Sequence, residues 1–189
     1  GAMTTLDNLP ENTPILVGAG QVVERAATAD SPMMLASEAA RRALTHAGGE
    51  GLAGAIDTIS VTRLFTDSMG IKPCPFGRSD NPPLSVARAI GAAPAHCIYG
   101  QVGGNEPLSR LIEFARDIAR GERSVVLLAG AEAIRNQRSA ERSGQTLDWS
   151  ETLDGGDFAL EDRGWGDLFV TGQELSNGLL APMTYYALI

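Results

Sequence analysis

Residues 97 to 132, CIYGQVGGNEPLSRLIEFARDIARGERSVVLLAGAE, decide the fold class of this chain. The short apolar run from Cys97 to Tyr99 predicts a strand, and Gly103-Gly104 predicts the turn after it. Asn105 is a good N-cap, and Pro107 falls in the first helical turn, where its missing N–H does no harm. This stretch therefore predicts a strand that leads through a glycine turn into a helix.

The helix after this turn is amphipathic, and an apolar strand follows it. Its apolar stripe consists of Leu108, Leu111, Ile112, Ala115, Ile118 and Ala119. Gly121 ends the helix, and residues 124–129 are apolar after Ser124, as in a buried strand. Because strand, helix and strand make a βαβ crossover, the two strands are expected to lie parallel in one sheet.

The rest of the N-terminal part continues this alternation. Ser31 and Pro32 predict a helix start, and Gly48-Gly49 predicts its end. Five further segments complete the predicted order: a first strand at 14–20, the alanine-rich helix at 32–47, a second strand at 56–63, an irregular proline-rich stretch at 72–83 and a short helix at 84–90. The class is therefore α/β.

The sequence changes character after Glu132. Residues 135–166 are polar and show no sustained periodicity, which favours an inserted excursion with short helices over a structureless loop. Residues 179–189 are apolar and end abruptly, so we expect a truncated chain. We assign residues 1–3 to a tag remnant, 4–134 to an α/β domain and 135–189 to a loop domain.

Composition excludes several classes of partner. The net charge of −8 repels phosphate backbones, so we expect no nucleic acid partner. No apolar run approaches the roughly 20 residues of a membrane span, so we expect none. Two cysteines, Cys74 and Cys97, make no disulfide framework, and a reducing, cytoplasmic setting is the default expectation.

Several candidate motifs favour structural roles. Gly18-Ala19-Gly20 lacks the third glycine of a dinucleotide fingerprint, because Val23 stands there. His46 and His96 have no neighbouring catalytic pattern, and the two histidines and two cysteines have no metal-ligand spacing, so no metal is expected. The acidic residues between 148 and 162 lack a calcium-loop pattern and are assigned to a solvated surface.

The turn Val102-Gly103-Gly104-Asn105 is the candidate functional site. It joins a predicted buried strand to a helix N-terminus, where free backbone N–H groups favour developing negative charge. An ordinary β–α turn, in which glycines only relieve crowding, is the structural alternative. From these residues alone both interpretations stay open.

These segments resemble the thiolase family. The resemblance runs from about Pro14 to Glu132 and is most specific where the helix end Ile118-Ala119-Arg120-Gly121 leads into the strand end Ala129-Gly130-Ala131-Glu132. It implies a three-layer α/β/α fold with a mixed five-stranded sheet, one half of a duplicated core. It also implies a homodimer, paired near residues 97–99.

The resemblance also indicates where a nucleophile would stand. Thiolases place an acyl-accepting cysteine at the turn before this helix, and Val102 takes that position here. Valine cannot form an acyl intermediate. Cys97, five residues earlier, is the remaining candidate, and Gly103, Gly104 and Asn105 are the candidate substrate-binding residues.

Two functions follow as expectations. The first is acyl transfer on acyl-CoA thioesters, of the acetyl-CoA acetyltransferase type. The second is acyl-CoA binding without catalysis, or a scaffold role beside a partner subunit, which Val102 favours. Acyl-CoA or CoA is the expected ligand and no covalently bound cofactor is implied. We expect no turnover from this chain alone, because the family's further acid–base motifs do not occur in it.

Overall fold

The computed structural model describes residues 9–68, 72–153, 159–166 and 171–178. The helices are α1 (Pro32–His46), α2 (Pro82–Ile90), α3 (Glu106–Ala119), α4 (Ile134–Ser143) and α5 (Gly172–Ser176). The strands are β1 (Thr58–Val61), β2 (His96–Tyr99), β3 (Val126–Ala129) and β4 (Leu160–Asp162). Two short 3-10 helices cover Glu50–Ala55 and Phe65–Asp67.

The predicted cap of α1 is present, α2 has a cap that was not predicted, and α3 lacks a side-chain bond from its predicted cap. The Ser31 hydroxyl accepts the Met34 N–H at 3.1 Å before α1. The Asn81 side chain accepts the Leu84 N–H at 3.2 Å before α2. Both bonds satisfy an otherwise unpaired donor of the first turn. Asn105 precedes α3, but its side chain makes no capping bond, so the prediction of a side-chain cap there was wrong.

The strands form one sheet in the order β3-β1-β2-β4, and every pairing is parallel. Ile59 of β1 is in register with Cys97 of β2 and with Leu127 of β3. The expected βαβ crossover is therefore confirmed. The prediction of a mixed five-stranded sheet needs correction, because four parallel strands are present among the described residues.

Helices cover both faces of this sheet. α1 packs against α2, and α2 packs on β1 and β2. The chain then steps from β1 to β2 through α2 and back past β1 to β3 through α3. Because such crossovers are right-handed, opposite directions of travel place α2 and α3 on opposite faces. The architecture is therefore the expected α/β/α arrangement.

Residues 14–20 were predicted to be the first strand, and this was wrong. They belong to no strand of the described sheet, and Ile15, Leu16 and Val17 are 65%, 81% and 52% exposed. The segment lies against α1 instead, where a Cβ on Gly20 would come within 2.1 Å of the Ala39 carbonyl oxygen. Its glycines therefore permit a close approach to the helix.

The polar region after Glu132 contains the short helices α4 and α5, as predicted, and the short strand β4, which was not predicted. β4 pairs with the outer edge of β2, which is the edge expected to form a dimer. The predicted boundary near residue 134 stays a prediction. Residues 1–3 and 179–189 lie outside the described residues. None of the helices in the described ranges is long and apolar enough to cross a membrane.

Candidate functional site

The candidate site lies at the carboxyl edge of the parallel sheet. Because β1, β2 and β3 run in the same direction, the segments that follow them meet there. These segments are 62–64 after β1, 100–105 after β2 and 130–132 after β3. The predicted turn at Val102 therefore lies at the edge where open α/β sheets bind their ligands.

The turn from Val102 to Asn105 leaves backbone donors available. Gly103 has a φ of +134°, a left-handed conformation that favours glycine. Val102 and Gly103 are half-buried, and Gly104 and Asn105 are exposed. Among the described residues, none accepts a hydrogen bond from the N–H groups of residues 103–105. The turn can therefore donate to an acceptor that approaches the start of α3.

Glu106 places a buried carboxylate directly behind this turn. The residue is 3% exposed, and its Oε1 accepts the Gln101 N–H at 3.0 Å. Nε of Arg110 lies 3.1 Å from the same oxygen and balances the charge. A Cβ on Gly100 would overlap with this carboxylate. The negative charge that a helix N-terminus favours is thus supplied internally, so the turn suits a carbonyl oxygen better than a full anion.

Cys97, the alternative nucleophile, lies inside β2 and away from the turn. The residue is 1% exposed and packs in the hydrophobic core. Burial raises the pKa of its thiol to about 11, which disfavours the reactive thiolate. Cys74 is half-buried, and burial raises the pKa of its thiol as well. Neither free thiol has the environment of an activated nucleophile.

A buried polar network ties β1 and β2 together at the same edge. The Tyr99 hydroxyl donates to Asp67 at 2.6 Å and accepts the Leu64 N–H at 3.0 Å. Burial and the bond to Asp67 raise the Tyr99 pKa. The Arg63 guanidinium stacks on the Tyr99 ring, 4.2 Å from its centroid, and pairs with Asp162. The network fixes the positions of the segments that follow β1 and β2.

The chain is similar to a solved structure with this architecture, a monomeric SCP2-thiolase-like protein type 1 from Mycobacterium smegmatis. The two share 40% sequence identity with a TM-score of 0.52, and the match covers 63% of this chain. The fold is thiolase-like. The matched part is 23% of the solved protein, so the chain spans about a quarter of that protein's length. No family model and no curated protein matches this chain.

The neighbour is described as monomeric, so it does not support the expected homodimer, which stays a prediction. The thiolase-like fold does not show whether the chain carries out acyl transfer, because a shared architecture carries no chemistry by itself. The site must therefore be judged from the residues at the turn.

Glu132 belongs to the segment that follows β3 at the carboxyl edge of the sheet. One carboxylate oxygen accepts the Phe65 N–H at 2.7 Å. Burial, followed by the nearby Asp67 charge, raises its pKa, whereas the bond from Phe65 lowers it. Glu132 also lines an apolar groove along β3, where it is the one acidic residue among the described residues.

An apolar groove of about 830 Å³ runs along β3, on the edge that has no partner strand in the part of the chain that the structure describes. Ala39 and Ala43 of α1 form one wall, and Leu111 and Ile118 of α3 form another. Residues 14–20 close the far side, and Arg63 and Glu132 lie among the lining residues. The groove thus opens between the two helical layers.

The predicted structural roles of the histidines fit their positions. Nδ1 of His46 accepts the Ala19 N–H at 3.0 Å and so ties residues 14–20 to the end of α1. His96 is exposed at the start of β2. Within the described ranges, no group of three or more His, Cys, Asp or Glu residues is placed to hold a metal ion.

Sequence reasoning missed Arg63, Tyr99 and Glu106. Arg63 ends a β-branched run and Glu106 begins a helix, positions where charged side chains are usually exposed. The glycine at position 100 was the available signal for Glu106, because a strand end without a side chain leaves room for a neighbouring group.

Proposed function

We propose that this chain is part of a thiolase-superfamily protein and binds acyl-CoA thioesters at the turn Val102-Gly103-Gly104-Asn105. The observation that supports the proposal is that the N–H groups of residues 103–105, at the end of β2 in a thiolase-like fold, have no acceptor among the described residues. A thioester carbonyl oxygen is an uncharged acceptor that such donors can hold.

The charge on Glu106 favours a carbonyl over an anion. Its carboxylate accepts the Gln101 N–H behind the turn and already interacts with the positive end of the α3 dipole, so less stabilisation remains for a second anion. The carbonyl of a thioester carries only partial negative charge and depends less on that stabilisation. The thioester end of the ligand, rather than a phosphate, is therefore assigned to the turn.

Acyl transfer through an acyl-enzyme requires a nucleophile near the bound carbonyl. Val102 has none, and the Cys97 thiol is buried in the core with its pKa raised to about 11. We therefore propose binding, without an acyl-enzyme formed on this chain, as its function.

Calorimetric titration of the chain with acetyl-CoA tests the proposal. Gly104→Leu places a bulky side chain over the free N–H groups, and the structure has open space there, so the fold should tolerate it. We expect the affinity for acetyl-CoA to fall by about tenfold or more, because the new side chain blocks the approach to the donors and a hydrogen bond is lost.

Gly54→Leu is the matched control, because Gly54 is also exposed and has open space around it, in a 3-10 helix away from the turn. It should bind acetyl-CoA as the parent does. Saturable binding that Gly104→Leu leaves unchanged would place the ligand elsewhere, and no binding by the parent would reject the proposal.

A further inference from the structure

The groove along β3 begins beside the turn that is proposed to hold the thioester. On the helical side, Pro107 in the first turn of α3 lines the groove. On the sheet side, the Arg63 N–H donates to the Gln101 carbonyl at 3.3 Å, one residue before the turn. The adjacent Thr62 lines the groove, and its N–H donates to the Ala129 carbonyl at 2.9 Å. The turn and one end of the groove are therefore contiguous along two routes.

The groove runs from the carboxyl edge of the sheet towards the amino edge. α3 connects the end of β2 to the start of β3, so the helix runs opposite to these parallel strands. Its lining residues lie on one face because they are three or four positions apart. They are Pro107, Leu111, Phe114, Ala115 and Ile118. Over this stretch the helix rises by roughly 16 Å, at about 1.5 Å per residue, so the groove is elongated.

The two ends of the groove differ in polarity. At the carboxyl edge, beside the turn, the lining includes Thr62 and Glu132. Towards the amino edge, the walls are formed by Ala43 near the end of α1, Ile118 near the end of α3 and Val126 at the start of β3. A ligand with a polar head and an apolar tail would match this gradient with its head at the turn.

The apolar walls of the groove have little cover in the described part of the chain. Ile15 and Leu16 line the groove and are 65% and 81% exposed. All four residues of β3 also line it and are half-buried. Removing this surface from water is favourable, and the gain grows with each methylene group of a chain that covers it. The volume of about 830 Å³ is also typical of ligand pockets.

We propose that the groove binds the acyl chain of the thioester, with the carbonyl oxygen at the turn and the chain along β3. Thioesters of long acyl chains are then the preferred ligands. This inference rests on the proposed function, whose ligand it specifies. An alkyl chain brings no N–H or C=O groups between the apolar walls, whereas a peptide brings such groups on two edges and β3 could pair only one of them.

Calorimetric titration with acyl-CoA esters of increasing chain length tests the inference. Acetyl-, hexanoyl- and decanoyl-CoA share one headgroup, and each is used below the concentration at which it forms micelles. We expect the affinity to rise by about tenfold for every two methylene groups added between acetyl- and hexanoyl-CoA, and to rise further for decanoyl-CoA. Equal affinities for the three esters would overturn the inference.

Two substitutions fill the groove from opposite walls. Ala115 of α3 and Ala39 of α1 are half-buried lining residues, so Ala115→Leu and Ala39→Leu place a larger side chain where the acyl chain would lie. Both variants should bind acetyl-CoA as the parent does and should lose at least tenfold in affinity for decanoyl-CoA. If one of them fails to fold, the other decides.

Ala89→Leu is the matched control. Ala89 is an exposed residue of α2 and does not belong to the described lining of the groove. This variant should bind all three esters with the affinities of the parent. A chain-length effect that Ala115→Leu and Ala39→Leu both retain would place the acyl chain elsewhere and would contradict the inference.

The outcomes separate this inference from the proposed function. No binding of any ester by the parent would reject both. Binding of acetyl-CoA without a gain for the longer chains would reject the inference alone. Decanoyl-CoA affinity that falls in the two groove variants but not in Gly104→Leu would keep the acyl chain in the groove and reject the turn as the site of the carbonyl.

Sedimentation velocity tests the alternative occupant of the groove, which is a second copy of the chain. The parent and the two groove variants should have the same sedimentation coefficient. A parent dimer that Ala115→Leu and Ala39→Leu both dissociate would show that a second copy fills the groove, and the assignment of the acyl chain to it would then be wrong.

Discussion

The neighbouring strands β1 and β3 have burial opposite to what their sequences suggest. β1, Thr58-Ile59-Ser60-Val61, contains two hydroxyl side chains, yet all four residues are buried. β3, Val126-Leu127-Leu128-Ala129, is wholly apolar, yet each residue is only half-buried. Among the described strands, β1 has a neighbour on either side, whereas β3 has one neighbour and faces the groove. Burial is therefore set by position in the sheet, and the apolar sequence of β3 is suited to more cover than the described residues give it.

The Thr58 hydroxyl of β1 can be buried because it has partners. Thr58 donates to Asp57 at 2.8 Å and accepts from Arg123 at 2.7 Å. Asp57 also accepts the Ser124 N–H at 2.6 Å, which joins the starts of β1 and β3. Satisfied polar groups cost little when buried and fix the register of the strands.

The largest expected effect comes from shortening side chains at one matched pair of positions. Ile59 and Leu127 are partners in register, but Ile59 is fully buried and Leu127 is half-buried. Ile59→Ala should lower the free energy of unfolding by about 3–4 kcal/mol, and Leu127→Ala by about 1 kcal/mol, because only the first leaves an enclosed cavity. Urea unfolding measures both losses, provided that the slope of the free energy of unfolding against urea concentration is the same for each variant.

The ratio of the two losses tests the comparison itself. A loss for Leu127→Ala as large as that for Ile59→Ala would show that the free edge of β3 is covered in solution. Equal small losses would instead show that the packing around β1 is loose. Ile59→Val removes one methyl group, so its loss of stability should lie between zero and the loss for Ile59→Ala. A graded loss of this kind would show that the cavity is responsible.

The same contrast explains which elements could be predicted from the sequence. Caps and periodicity predicted α1, α2 and α3 because those signals are local. Residues 14–20 satisfied the strand pattern equally well, but membership of a sheet needs a partner edge that no local pattern encodes. The prediction was therefore wrong for a tertiary reason, and the count of five strands was wrong with it.

The candidate site divides in a similar way. The turn at 102–105 could be placed from its glycines and the helix after it. The roles of Arg63 and Asp162 could not, because their pairing spans about a hundred residues and arises only when β4 joins β2. A turn can be predicted from one segment, whereas the partner of a buried arginine depends on which strands pair in the sheet.

The second largest expected effect is a pH-dependent loss of stability between β1 and α3. Asp117 of α3 accepts a bond from Arg123 at 2.9 Å, and this bond, followed by that from Arg120, lowers the Asp117 pKa. A lowered folded-state pKa contributes stability above the ordinary value of 3.8, which is lost as pH falls through the folded-state pKa. Asp117→Asn should therefore cost about 2 kcal/mol at pH 7.

Unfolding measured from pH 7 down to pH 3 should show the penalty of Asp117→Asn shrinking as the parent carboxylate becomes protonated. Glu122→Gln is the control, because Glu122 pairs with the exposed Arg120 side chain and should have little effect at any pH. A penalty that persists unchanged at pH 3 would mean that the loss is steric. The charge of Asp117 would then contribute nothing to joining α3 and β1.

The smallest expected effect concerns the far wall of the groove. Gly20→Ala places a methyl group against the Ala39 carbonyl of α1, so residues 14–20 should move away from the helix. Because the side chains of this segment are largely exposed, the free energy of unfolding should fall by less than about 1 kcal/mol.

The local change should be clearer, since the Ala19 N–H would lose its bond to His46 and exchange with solvent deuterium faster. Gly51→Ala, which meets open space, should leave exchange at Ala19 unaltered. If Gly20→Ala instead destabilised the chain as much as Ile59→Ala, residues 14–20 would have to be part of the core. The loosely packed part of the groove would then be limited to β3.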